Sequence, residues 1–326
     1  MTRAGDQAVG EVKPVAASYA AVMQRVEHQP VSVILGVQGS GTNLLRRILT
    51  SAFNASVVQD QALVLKAGLR LGTRPSQTAV QQEFQALLAR MVPSAVSRKT
   101  QRLVKTNGSF EGIDRHFDPA GITSGADLVR FVYAYSAFSR GATFMATKSD
   151  DLWETIADID QVLPNRRIVL LTRDFRDNLL SITRKPFGPV EPLIAARYVK
   201  ERFAHYDHEY RRTPVERRLH VRFEDMLERP ESVVAQFRDH FGLGEPAPLN
   251  TRQIRRNNTR KWAVLTPQQL AFCEAMLRDE LEAYGYGTET SATALPDAAT
   301  WRRLAVSDAF SRVPQKLRAL TRRLGK

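Results

Sequence analysis

The sequence predicts an α/β fold: three layers, a doubly wound, mainly parallel sheet and a P-loop-like phosphate-binding loop. Three observations carry this. Short apolar strands alternate with helical stretches of about 10 to 15 residues, the order of parallel crossover units. "RRIVLLTR" (166–173) is continuously apolar from Ile168 to Leu171, as a strand covered on both faces would be. "VILGVQGSGTNLLRRIL" (33–49) runs a strand into a glycine turn and then into a helix, so that backbone N–H groups converge on an anion. The Gly-Lys-Ser/Thr ending of nucleotide hydrolases is missing, because Thr42 and Asn43 follow Gly41.

In chain order, a polar lead-in (1–28) holds a short helix over Ala16 to Glu27, and the first strand is 31–36. Its helix runs from Asn43 to Ala52, and residues 76–92 and 94–104 read as helical. The Gly-, Pro- and Asp-rich stretch 108–125 is a loop. A helix over 126–140 carries Leu128, Phe131, Val132 and Tyr135 at helical spacing. A strand follows at 142–148, and a helix is expected behind the cap cluster Ser149-Asp150-Asp151. After 166–173 come a helix with "RDNLLSITR", a long amphipathic helix over 191–211, a strand at 218–225 and a helix from Arg229. A closing helix over 266–284 opens on Thr266-Pro267. The expected organisation is an extension (1–28), one α/β domain (29–288), and a linker with a basic tail (289–326).

Composition narrows the function. The net charge is +13, which favours anionic partners. Eight Lys/Arg and one Asp lie from Trp301 onward, so about half of the surplus sits in the tail and nucleic-acid binding by the body ranks last. Cys273 is the only cysteine, which rules out an intrachain disulfide and a thiolate metal cluster. No apolar run reaches the length of a membrane span, and the first residues lack a leader's apolar core. A soluble protein of the reducing cytoplasm is expected.

Ligands of open parallel sheets sit at the carboxyl ends of strands, and Gly36, Lys148 and Arg173 each fall at such an end. Arg173 offers a planar donor fork, and Ser181, eight residues on, a hydroxyl. Arg173 is also in reach of Asp174 and Asp177. In "RRNNTRKW" (255–262), Arg255 and Arg256 add a further clamp.

Here the sequence resembles the PAPS-dependent sulfotransferases, which move a sulfuryl group from 3'-phosphoadenosine 5'-phosphosulfate (PAPS) to an acceptor and release PAP. "GSGTNLL" is similar to that family's 5'-phosphosulfate loop, and "TRDFRDNLLS" to its 3'-phosphate element. "RRNNTRKW" resembles its Arg-Lys-Gly-x-x-Gly-Asp-Trp stretch, with Arg255, Arg256 and Trp262 in register and Asn257 and Arg260 in place of the glycines. "VRFEDMLERPESVVAQFRDHFGL" resembles the strand, acidic turn and helix of bacterial members. The likeness runs from about Val31 to Tyr286. It implies a donor site made by Gln38, Gly39, Ser40, Gly41, Thr42, Asn43, Arg173, Ser181, Arg255, Arg256 and Asn257, and transfer to a hydroxyl of a carbohydrate, lipid or small molecule without a metal ion. A relative that binds PAP or PAPS without transfer, and a P-loop nucleotide kinase, are the alternatives.

Gly39 departs from the family, whose members carry Lys or Arg there against the oxygen being released. Lys148, at a strand end, is the replacement candidate. Asp60, 21 residues beyond Gly39, is similar in spacing to a family base, with His116 and Asp114 as rivals. The stretches 54–125 and 185–215 are expected to set the acceptor. Apolar residues at 313, 317, 320 and 324 among Lys and Arg make the tail a basic amphipathic helix. It is expected either to dock on the body or to touch the anionic inner face of the membrane.

Overall fold

The computed structural model describes residues 19–24, 29–59, 62–91, 110–142, 144–149, 151–185, 188–249, 254, 259–291, 294–309 and 311. Five parallel strands make one sheet in the order β2-β3-β1-β4-β5: β1 (Ser32–Leu35), β2 (Ser56–Val58), β3 (Met145–Lys148), β4 (Arg167–Thr172) and β5 (Arg218–Arg222). Alternate residues of the central strands enter two separate cores. Val33, Leu35, Ile168 and Leu170 face one, and Ile34, Val169 and Leu171 the other. That two-sided burial is why 168–171 reads as an unbroken apolar run.

The first core is closed by α1 (Tyr19–Gln24), α3 (Leu63–Leu71), α4 (Gln77–Met91), α5 (Gly125–Phe138), α6 (Phe175–Thr183), α7 (Pro192–Arg212) and α10 (Pro267–Ala283). The second is closed by α2 (Thr42–Phe53), α8 (Phe223–Glu228) and α9 (Pro230–Phe241). α10 begins with a reciprocal capping box between Thr266 and Gln269, with Pro267 in its first turn.

The chain leaves β1 toward β2 on one side of the sheet and leaves β4 toward β5 on the other. Their carboxyl ends therefore flank the switch point where an open sheet leaves a crevice. The turn after Leu35 and Arg173 after Thr172 both open there.

Three expectations are corrected. Behind Ser149 there is no α-helix: two 3-10 turns, Leu152–Glu154 and Ile156–Gln161, are separated by Thr155 at φ −125°, and Asp151 makes no capping bond. β5 stops at Arg222, because residues 223–228 coil at once into α8. Residues 298–309, expected as linker, are helical, and the buried Asp308 accepts from the backbone N–H of Val190 and Glu191 at the start of α7. The expected helix at 94–104 and the amphipathic segment from Val313 lie outside the described residues. No described helix is long and apolar enough to cross a membrane.

Candidate active site

The loop between β1 and α2 is built for close approach. Gly39 and Gly41 take φ of 97° and 96°, a region open to glycine and costly for other residues. A Cβ on Gly39 would lie 2.7 Å from the Cβ of Ser181. One on Gly41 would enter the ring of Phe223. Ser40 closes the turn: its N–H and hydroxyl both donate to the Val37 carbonyl, at 3.0 and 2.6 Å. No side chain caps α2, so its amino end faces the crevice with its dipole uncompensated by a cap. Thr42 is buried and Asn43 exposed in the first turn.

The loop is tied to the next strand. Arg173 donates through Nη1 to the Gly39 carbonyl (3.0 Å) and through Nη2 to Asp177 (3.1 Å), and stacks 4.5 Å above Phe223. The pairing with Asp177 foreseen for Arg173 thus exists, and the same guanidinium braces the glycine turn. Asn178 donates to the Ser40 hydroxyl at 2.9 Å. Ser181 abuts Gly39 and donates to the Asp177 carbonyl (2.9 Å). Gln38 accepts from the Tyr198 hydroxyl of α7 at 2.8 Å.

A second segment folds over α6. Trp262 donates its backbone N–H to Asp177 (3.2 Å) and its indole N–H to Asp174 (3.1 Å), with Arg176 stacked 4.2 Å from its ring. This fixes its neighbour Lys261 beside Arg173 and Arg184. The Lys261 ammonium is held below the usual lysine range, first by burial, then by the charge of Arg173 against the pull of Asp177, and by Arg184. Three cations with Asp177 as the opposing charge make a cluster suited to an anion such as a phosphate.

Lys148 ends β3, 2% exposed and in register with Ile34 of β1. It sits at the crevice end of the strand beside the loop. Asp60, Arg255, Arg256 and Asn257 lie outside the described residues. Val58, the last residue of β2, pairs with Thr147, the residue before Lys148, so β2 ends at the crevice. The rivals are placed elsewhere. His116 packs on Tyr135 and Phe138 (5.4 and 6.1 Å between rings), at the end of α5 that leads into the start of β3. Asp114 shares its turn. Both sit toward the amino-terminal ends of the strands, away from the crevice.

Lys261, Arg184 and Asn178 were not singled out from the sequence. Lys261 lies within the quoted 255–262 stretch and Asn178 within 172–181. What distinguishes them is spatial: a bond to Ser40 for Asn178, and company of like charge for the two cations.

The geometry also accounts for Gly39, since any side chain there meets Ser181. Gly39→Lys is expected to distort the glycine turn and to lower stability by about 1–3 kcal/mol. Thermal melts on the variant check this.

A model described as the sulfotransferase family matches residues 30–246. Among solved structures, the sulfotransferase domain of the Synechococcus PCC 7002 olefin synthase aligns at TM-score 0.51 with 18% identity, over 79% of this chain and 95% of that one. The sulfotransferase domain from the curacin biosynthetic pathway aligns at 0.50 with 14% identity, over 79% and 98%. At these identities the likeness is one of fold. A search of curated protein sequences finds no match. The family match spans more than half of the chain and takes in the glycine loop, Lys148, Arg173 and Ser181, and on it the chain belongs to the sulfotransferase family.

Proposed function

We propose that the protein transfers a sulfuryl group from PAPS to an acceptor hydroxyl, by in-line displacement with the charge carried by its own side chains. The observation that carries the donor assignment is the joining of two features on one brace, Arg173: a loop at the α2 amino end that Gly39 and Gly41 keep open, and the Arg173, Arg184 and Lys261 cluster. That pairing suits a ligand with two phosphate groups held apart on a nucleoside. When bound, PAPS supplies an activated sulfuryl group on its phosphosulfate.

The chain's own residues do the rest. Gln38 through Asn43 bind the 5' end by backbone donors, which the two glycines leave unobstructed. Arg173, Ser181 and Lys261 hold the 3'-phosphate, with Arg255, Arg256 and Asn257 completing the clamp. Lys148 stabilises the charge that grows on the released phosphate oxygen, a role preorganised by its burial at the strand end. Asp60 takes the proton of the acceptor hydroxyl. Positioning and electrostatics supply the acceleration.

The test is a calorimetric titration with PAP, without added metal, beside Arg173→Ala and Lys261→Ala. Loss of one charge-assisted phosphate contact amounts to about 10- to 100-fold in Kd. Lys261→Ala is expected to show that loss with an unchanged melting temperature. Arg173→Ala, which also cuts the brace to Gly39, is expected to lose more affinity and some stability. Absence of wild-type binding would overturn the donor assignment.

A further inference from the structure

On α7, one turn beyond the Tyr198 that touches Gln38, stands Arg202. Its guanidinium lies 3.4 Å from the centre of the Tyr198 ring and 4.5 Å from that of Trp153, a residue of the turn that follows Lys148. His205, one turn further along, presents its ring 6.0 Å from Trp153. Arg202 thus sits where the turn that follows Lys148 meets the helix that contacts the glycine loop.

Among the described residues no carboxylate is ion-paired to Arg202, and its Nε is buried without a hydrogen-bond partner. Of the carboxylates on the same helix and in the facing turn, Glu201 is engaged by Arg197, Glu154 by Lys66, Asp207 by Arg211 and Glu209 by Arg166 and Arg212. Stacked rings stabilise a cation but leave its N–H edge unsatisfied. A half-buried guanidinium of this kind gains most from a planar anion that takes two parallel hydrogen bonds.

We infer that Arg202 reads the acceptor, and that the acceptor is a hydroxy acid: a compound whose hydroxyl receives the sulfuryl group while its carboxylate pairs with Arg202 and its apolar body lies on Trp153. The inference rests on the sulfotransferase reading above and names the substrate class of that same site.

The experiment uses the full chain loaded with PAP and a matched probe pair, 4-hydroxyphenylacetate and its methyl ester. Binding of each is measured by ligand-detected NMR titration for wild type, Arg202→Gln and Arg202→Lys. The acid is expected to bind wild type at least about tenfold more tightly than the ester. Arg202→Gln is expected to weaken the acid about 10- to 100-fold while the ester changes less than twofold, and Arg202→Lys to recover part of the loss. Equal binding of acid and ester, parallel loss of both in Arg202→Gln, or no binding of the acid to wild type would each overturn the inference. PAP affinity, read on the same samples, is expected to stay within about threefold in both variants. Its absence in wild type would instead overturn the donor assignment, so the two failures are distinguishable.

Discussion

Replacing Lys148 by Met is expected to lower turnover by about two to three orders of magnitude while PAP affinity stays within about threefold. The size follows from the loss of one preorganised donor at a developing oxyanion. The split follows from timing, because the released oxygen acquires its charge only during transfer. An interaction made chiefly in the transition state appears in kcat and leaves ground-state binding nearly untouched. Methionine keeps the length of the side chain and removes the charge. Lys148 is only 2% exposed, and a replacement of similar length opens no large cavity, so Lys148→Met is expected to stay folded at the assay temperature, as a thermal melt reads. A loss of turnover accompanied by unfolding would mean that Lys148 is structural, and unchanged turnover would give the role to another cation. Asp60→Asn, run beside it, is expected to lower kcat and to remove the acidic limb of its pH profile, as loss of a carboxylate base does.

The parts of this architecture that were legible in the sequence are those with a local signature. Continuous burial wrote itself into Ile168 to Leu171, and positive φ into Gly39 and Gly41. The reciprocal cap of α10 was visible at Thr266-Pro267. What escaped was short or cooperative. β2 is three residues long, and its pairing with β3 lies nearly 90 positions away in sequence, beyond any periodicity argument. α3 follows Ala62 in a left-handed conformation, without the polar cap that usually announces a helix. In the site, Arg173 and Ser181 stood out because they share one strand-to-helix turn. Lys261 did not, because its role depends on Trp262 being fixed to Asp174 and Asp177 more than 80 residues earlier. Lys148 was found from its place at a strand end, whereas Arg202 needed three elements to meet.

Glu274→Ala is expected to destabilise the fold by about 3–5 kcal/mol, a fall in melting temperature of about 4–7 °C for a chain of 326 residues. Glu274 is fully buried in α10, where it accepts from Arg176 at 2.5 Å, from the backbone N–H groups of Glu289 and Thr290, and from the Thr290 hydroxyl. Removing it takes one of two carboxylate partners from the buried Arg176 guanidinium, which keeps Asp174, and strands two backbone donors; such losses dominate the destabilising tail of point substitutions. Burial by itself would raise the Glu274 carboxyl, but its donors from Glu289, Thr290 and Arg176 outweigh burial and hold it below the ordinary value of 4.5. A carboxylate depressed in the folded state contributes stability above its unfolded pKa and loses it as pH falls through the folded value. The gap between wild type and Glu274→Ala should therefore be constant above about pH 5.5 and shrink below 4.5, as chemical denaturation at stepped pH would read. A gap that does not narrow in acid would mean that packing alone accounts for the loss. The consequence reaches the proposed site, because Arg176 is the residue that stacks on Trp262 and pairs with Asp174, and Trp262 is what holds Lys261 beside Arg173 and Arg184. Well below its melting temperature, Glu274→Ala should therefore bind PAP several-fold more weakly than wild type, although Glu274 is separated from the proposed donor pocket by Arg176 and Trp262.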